Sequence, residues 1–384
     1  MTSASATPTL LTQRLQSIDA LRGLVILFML LDHVRETFFL HRQVSDPMAI
    51  DATDPSLFAS RTLAHLCAPV FVLLTGLSAW LYGEKYRGRS DVSAFLFKRG
   101  LFLVVLEFTL VNFAWTFQLP PSVVYMQVIW AIGVSMIALS LLVWLPRPAL
   151  LAVGALIIAG HNLLDGLHFD AQSALHVPWA ILHDRGWLEV SENLRLRTSY
   201  PVLPWIGVIA LGYGLGPWFG RGSDAGERQH RLLMAGVTAL LAFMVLRLYN
   251  GYGEAPWSGY PALTQTLMSF FNITKYPPSL LFLALTLVAA CCCCVPSSVP
   301  GLPAGSAPWR CSAQRRCSST CCTCMCSSCC TWPVWRCSAS TRATTSASTA
   351  SARCGWPRCC WRRRCTCQCA GSPGSRRAGA TSTG

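Results

Sequence analysis

The chain has 384 residues, 52% of them hydrophobic and 12% charged, with a mean hydropathy of +0.41. That charged share is about half of what a soluble domain carries, so composition excludes an ordinary water-soluble protein and points to a lipid bilayer as solvent. The net charge of +14 invites a nucleic-acid partner, but twelve arginines with no lysine or acidic residue follow Cys291; without them 19 basic residues face 17 acidic ones, a net +2, and no nucleic-acid binding is expected.

In chain order, residues 1–13 read as a flexible N-terminal tail. Apolar runs of membrane-spanning length then follow at roughly 21–40, 64–82, 99–117, 122–145, 149–164, 202–219, 231–249 and 278–290. The fold class expected is an all-α, polytopic membrane helix bundle with about eight spans before residue 290. A cleaved signal peptide is disfavoured for the first run, because Asp32 and His33 interrupt it and no small-residue cleavage site follows. Basic residues mark one side of the membrane: Lys85, Arg87, Arg89, Lys98 and Arg99 between the second and third runs, Arg147 after the fourth, and Arg221, Arg228 and Arg231 after the sixth. By the positive-inside rule these loops and the N-terminus are cytoplasmic, and 41–63, 118–121, 165–201 and 250–277 face outward. The localisation expected is a multi-pass inner-membrane protein.

Ionisable residues within apolar spans are functional candidates, because burying them in hydrocarbon is costly. At 100° per residue Asp19, Arg22 and His33 fall within about 60° on one face of the first helix, Arg22 and His33 about 16 Å apart along it, while Asp32 points elsewhere. Arg22 can hold phosphate bidentately. Histidine titrates near neutrality, so His33 can act as a general base or carry an acyl group; anchoring at the headgroups and bonding to a neighbouring helix are the plainer uses of these two residues. Arg61 and His65, four residues apart, share a face at the outward end, where His33 also lies. Two histidines and an arginine near one depth suit an acceptor site. Cys67 reads as a small packing residue. Glu107 and Asn112 in the third run are inward-facing contacts or part of a path. Gly207, Gly212, Gly214 and Gly216 in the sixth run read as close helix packing. In "NITKYPPSL" the two prolines suit a helix start and Ser279 can satisfy its free amides, placing Lys275 and Tyr276 at the outer interface as anchors or substrate contacts.

The chain changes character at Cys291. One cysteine precedes it and nineteen lie from there on, including four in a row at 291–294. They lack the histidines and paired spacing of a zinc module, and no metal is expected. A disordered basic tail avoids Cys and Trp, which this segment uses freely. Leucine codons read one base late become cysteine, and with codons chosen to suit both frames, residues 291–326 and 354–384 shifted back by one base can be read as a continued apolar helix, a charged loop, two more apolar stretches and a basic end. The tail is therefore expected to be a frameshift product without an evolved fold, irregular or disordered, and the intact form to have ten spans.

Four stretches carry a resemblance: "SIDALRGLVILFMLLDH" (Ser17–His33), "RTLAHLCAPVFVLLTGLSA" (Arg61–Ala79), "YPVLPWIGVIALGYGLG" (Tyr200–Gly216) and "TKYPPSL" (Thr274–Leu280). Over residues 14 to about 288 the chain resembles the bacterial branch of the heparan-alpha-glucosaminide N-acetyltransferase catalytic-domain family and, more distantly, transmembrane acyltransferases with arginine and histidine on the first helix. The resemblance implies a transmembrane acyltransferase domain over 14–290 that passes an acetyl group from cytoplasmic acetyl-CoA, its donor, to a sugar or glycan acceptor across the membrane. It implies His33, His65 and Asp19 as catalytic residues, Arg22 as the acetyl-CoA contact, and Arg61, Lys275 and Tyr276 as acceptor contacts. Lysosomal members place their histidine after the first helix, where this chain has His41. A transporter or channel using the polar seam is the reading from a different class, and a third reading is that the altered chain, lacking two spans, is an inactive truncated form.

Overall fold

The structure, a computed structural model, describes residues 16–38, 48–86 and 88–294. His41, the N-terminal tail and nearly all of the cysteine-rich tail lie outside the described residues. Helix α1 (Gln16–Phe38) carries Asp19 in its first turn and Arg35 in its last, each complementing the helix dipole. Asp54 caps α2 (Pro55–Ala64) by accepting from Ser56 N at 3.0 Å, with proline at the helix start. After a two-residue turn the chain continues as α3 (Cys67–Tyr86), then α4 (Arg89–Leu106), a π-helical turn (Glu107–Val111) and α5 (Asn112–Thr116). Strand β1 (Val123–Met126) precedes α6 (Val128–Leu142) and α7 (Arg147–Gly160), which runs into a 3-10 turn, His161–Leu164. Then come α8 (His176–Leu182), a hairpin of β2 (Trp187–Ser191) and β3 (Leu194–Thr198), α9 (Leu203–Gly214), and α10 (Ala225–Tyr249), capped by Asp224. The described part closes with α11 (Leu263–Phe271) and α12 (Leu280–Cys294).

A helix stands at each of the eight apolar runs, and three segments are long and apolar enough by themselves to cross a membrane: Pro55–Lys85, Arg147–Leu164 and Ala225–Tyr249. Outer faces of α4, α6, α7 and α10 are apolar too. Phe102, Leu141, Leu156, Leu241, Val245 and Leu248 are all exposed, a pattern that suits lipid and not water.

Inside, α3 packs on α9, α4 on α6, α7 on α9 and α10 on α12. One apolar cluster joins Leu96, Leu139, Trp205, Ile209 and Phe282, and a second joins Ile18, Val25, Leu74, Leu77 and Leu232. Small residues let the helices approach closely: a Cβ on Gly212 would run into the Leu73 carbonyl and one on Gly76 into the Ile209 carbonyl. This is the packing role expected for the glycines of the sixth run. Arg247, 1% exposed near the end of α10, donates to the carbonyls of Ala255, Ser269, Phe270 and Asn272 at 2.8–3.1 Å and so ties the 250–272 connection to the bundle.

The all-α expectation needs correction. A three-stranded sheet, in the order β1-β3-β2, pairs β1 parallel with β3 (Val123 opposite Arg195) and β2 antiparallel with β3. The expected fourth span therefore starts late: residues 123–126 are strand, and the helix begins at Val128. A four-residue apolar run carries no periodicity that separates strand from helix, and only the partner β3 decides between them. The third run is one path of α4, a π turn and α5, not a single α-helix. The prolines stand before α12 and outside it; Ser279 is its cap, its Oγ accepting from Phe282 N at 3.0 Å.

Candidate active site

Helix α1, the α2–α3 segment, the π turn and the start of α6 surround a cavity of about 340 Å³, closed by Tyr200 and by Lys275–Tyr276 from the approach to α12. His33, Arg61, Lys275 and Tyr276, all expected from the sequence, line it. Asp32 lines it as well, although helical periodicity pointed it elsewhere. Its partner explains this: Asp32 Oδ2 accepts from Arg61 Nη1 at 2.5 Å, and its Oδ1 accepts from Arg35 Nη2 at 2.9 Å, so the carboxylate joins α1 to α2. Residues 100° apart on one helix can both reach a cavity when a second helix brings the counter-charge.

Glu107 forms the opposite wall. The π turn puts an extra residue into the helix and carries this side chain inward, 1% exposed. Its Oε2 accepts from Trp130 N at 3.0 Å; its Oε1 is buried without a hydrogen-bond partner among the described residues. Asn112, by contrast, is structural: its side chain donates to Val123 O and accepts from Tyr125 N, joining α5 to β1. The His33 ring stands 5.6 Å from that of Trp115.

On the remaining side Tyr200 and Tyr276 hydroxyls meet at 3.3 Å. Lys275 Nζ lies 5.1 Å from the Tyr276 ring centroid, and the Arg185 guanidinium 4.8 Å from it. Burial pushes the Tyr200 phenol well above its usual value. Burial acts the same way on Tyr276, but the positive charges of Lys275 and Arg61 outweigh it and hold that phenol below its usual value. Lys275 is 9% exposed, which makes it a wall of the cavity and not a surface anchor.

Three expected residues do not line the cavity. Asp19 and Arg22 sit at the other end of α1, where Arg22 Nη2 donates to Ser78 Oγ at 2.6 Å and Nη1 lies 4.0 Å from Asp19 Oδ1. His65 is 2% exposed and packs on the Phe282 ring at 5.3 Å, its Nδ1 without a hydrogen-bond partner among the described residues. Cys67 is buried and lines the cavity, its Sγ 3.5 Å from Val25 O. Beyond Arg185 and Tyr276, which line both spaces, lies a wider cleft of about 670 Å³ bordered by Asp165, His183 and Glu254.

What this arrangement can do is polar chemistry inside an apolar bundle: a histidine, two acids and three cations face one small space. Residues 14–249, more than half of the chain, match the family described as "Heparan-alpha-glucosaminide N-acetyltransferase, catalytic", a stretch that contains every cavity residue named above except Lys275 and Tyr276. No curated protein and no solved structure matches the chain. Together with the apolar helices, this match means that the chain belongs to the heparan-alpha-glucosaminide N-acetyltransferase catalytic family, a family of membrane acetyltransferases.

Proposed function

We propose that the protein transfers an acetyl group from acetyl-CoA, bound from the cytoplasmic side, to a hydroxyl or amine of a sugar or glycan on the other side of the membrane. The observation that carries this is the cavity joining His33 to buried Glu107 and to the cations Arg61 and Lys275. The donor contributes an activated acetyl thioester. Arg22, whose side chain is about a third exposed at the far end of α1, fits a phosphate contact for it. Eight helices crossing the bilayer, the N-terminus inside, would place Arg22 and the cavity toward opposite faces.

In this reading an imidazole nitrogen of His33 takes the proton from the acceptor as its oxygen or nitrogen bonds to the acetyl carbon, and returns a proton to the sulfur as the C–S bond breaks. Arg61 and Lys275 stabilise the negative charge that develops on the acetyl oxygen. Asp32 is a positioning residue that holds Arg61 through their ion pair. Glu107 Oε1, buried and open to a partner, holds the acceptor's hydroxyl or amine. Tyr276 and Arg185 form the wall facing the wider cleft, the side of acceptor entry. The family match works against the transporter reading.

The test is labelled acetyl-CoA added to membranes containing the full-length protein. His33→Ala is expected to lower transfer to lipid or glycan about 10²- to 10⁴-fold, the range for a general base. Transfer unchanged by that substitution would remove His33 from the mechanism. Label retained on the protein before acceptor is added, and lost in His33→Ala, would make His33 an acyl carrier in place of a base.

A further inference from the structure

We propose that His161, Asp165 and His183 form a binding site for a divalent transition-metal ion of the zinc class, at the edge of the wider cleft. His161 opens the 3-10 turn after α7, Asp165 follows that turn four residues later, and His183 ends α8. One donor atom from each residue lies within 4.8 Å of the other two. Asp165 Oδ1 and His183 Nε2 are 3.3 Å apart, which matches the edge of about 3.4 Å expected between tetrahedral ligands with bonds of about 2.0–2.1 Å.

The second observation is His161 itself. It is 2% exposed, and neither Nδ1 nor Nε2 has a hydrogen-bond partner among the described residues. A neutral imidazole has one donor and one acceptor nitrogen, and leaving both buried and unmatched is costly. A metal bond engages one ring nitrogen, and one of the two lies within 4.8 Å of the other two donor atoms.

His183 Nε2 hydrogen-bonds to the His161 carbonyl oxygen at 3.1 Å and faces Asp165 Oδ1 at 3.3 Å, so a metal would take the place of the Nε2 proton; its Nδ1 faces Asp184 Oδ1 at 3.4 Å. Ligation through Nε2 puts the proton on Nδ1, where Asp184 accepts it, the usual outer partner of a metal-bound histidine. Asp184 is itself held by His168 Nδ1 at 3.0 Å. Two imidazoles and one carboxylate suit zinc and its neighbours better than calcium or magnesium, which favour oxygen ligands. Three protein ligands leave a position for water or a solute oxygen, and Asp165 and His183 both border the cleft of about 670 Å³. Arg185 follows two residues after His183 and lines the cavity, so the ion would anchor the segment that presents Arg185.

The experiment uses the full-length chain, purified in detergent through a tag that binds no metal, with elemental analysis for manganese through zinc. The expected result is about one equivalent of transition metal per chain, falling at least about tenfold in His161→Ala/His183→Ala and in Asp165→Asn. Cobalt(II) is then loaded into chelator-stripped wild-type protein, which needs no variant to fold; visible bands of four-coordinate cobalt without thiolate charge-transfer bands support the site. Three results overturn it: no metal in wild-type protein even after equilibration with zinc, metal retained in the double variant, or thiolate bands that assign the metal to cysteines. The first would leave His183 as a hydrogen-bonding residue among the His161 carbonyl, Asp165 and Asp184.

Discussion

Asp32 should tolerate replacement much less well than the arginine it pairs with. Its carboxylate makes two charge-assisted bonds, to Arg61 at 2.5 Å and to Arg35 at 2.9 Å, between side chains only 12–14% exposed. Each such bond contributes about 1.5–3 kcal/mol, and removing one partner of a buried charge group costs about 3–5 kcal/mol, because the opposite charges lose their compensation in a poorly solvated place. Asp32→Ala takes away both bonds at once and is expected at the upper end, about 3–5 kcal/mol. Arg61→Ala leaves Arg35 on the carboxylate and is expected to cost about 1.5–3 kcal/mol. The double variant should then show a coupling energy of about 1.5–3 kcal/mol between positions 32 and 61. Equilibrium unfolding of the full-length protein in mixed micelles, with helix content as the signal, would measure all three. Equal losses for the two single variants, or a coupling under about 0.5 kcal/mol, would mean that water screens the pair and that α1 and α2 are held together by apolar contacts alone.

Other substitutions separate further parts of the reasoning. Gly212→Ala should destabilise by about 1–3 kcal/mol because its Cβ meets the backbone carbonyl of Leu73, while Gly160→Ala, with nothing within 4 Å, should be neutral or slightly stabilising in the same unfolding assay. Arg247→Met should cost about 3–5 kcal/mol by removing bonds to four carbonyls, and Arg247→Lys should recover only part of it, since an ammonium cannot reproduce the planar fork. Glu107→Gln keeps an acceptor for Trp130 N and should keep the fold, yet lower acetyl transfer by at least about tenfold through a raised KM for acceptor; an unchanged KM would take Glu107 out of acceptor binding. Resequencing the codons for residues 285–296 should reveal a missing or extra base, and an unaltered frame would make the nineteen cysteines a genuine part of the protein.

Part of the site was legible in the chain because membrane interiors punish ionisable groups: Asp32, His33 and Glu107 stand out from apolar runs by that rule alone. The glycines of "PWIGVIALGYGLG" were legible for a related reason, since close helix contact admits little else. The use of Asp32 was not. Its direction follows from helical periodicity, but its partner is Arg61, which α2 delivers from 29 residues away. The grouping of His161, Asp165 and His183 was hidden in the same manner: "HNLLDG" carries His161 and Asp165 at turn spacing, while His183 lies 22 residues beyond His161, in a connection whose path the helices and the hairpin decide.

From the sequence alone follow the bilayer as solvent, the positions of the apolar helices and the family resemblance, because each rests on composition and short-range pattern. The strand β1, the separation of Arg22 from the cavity, and the meeting of His33 with Glu107 and Lys275 were decided by tertiary structure. Those are contacts between residues far apart in the chain, and their energy comes from partners that no local pattern identifies.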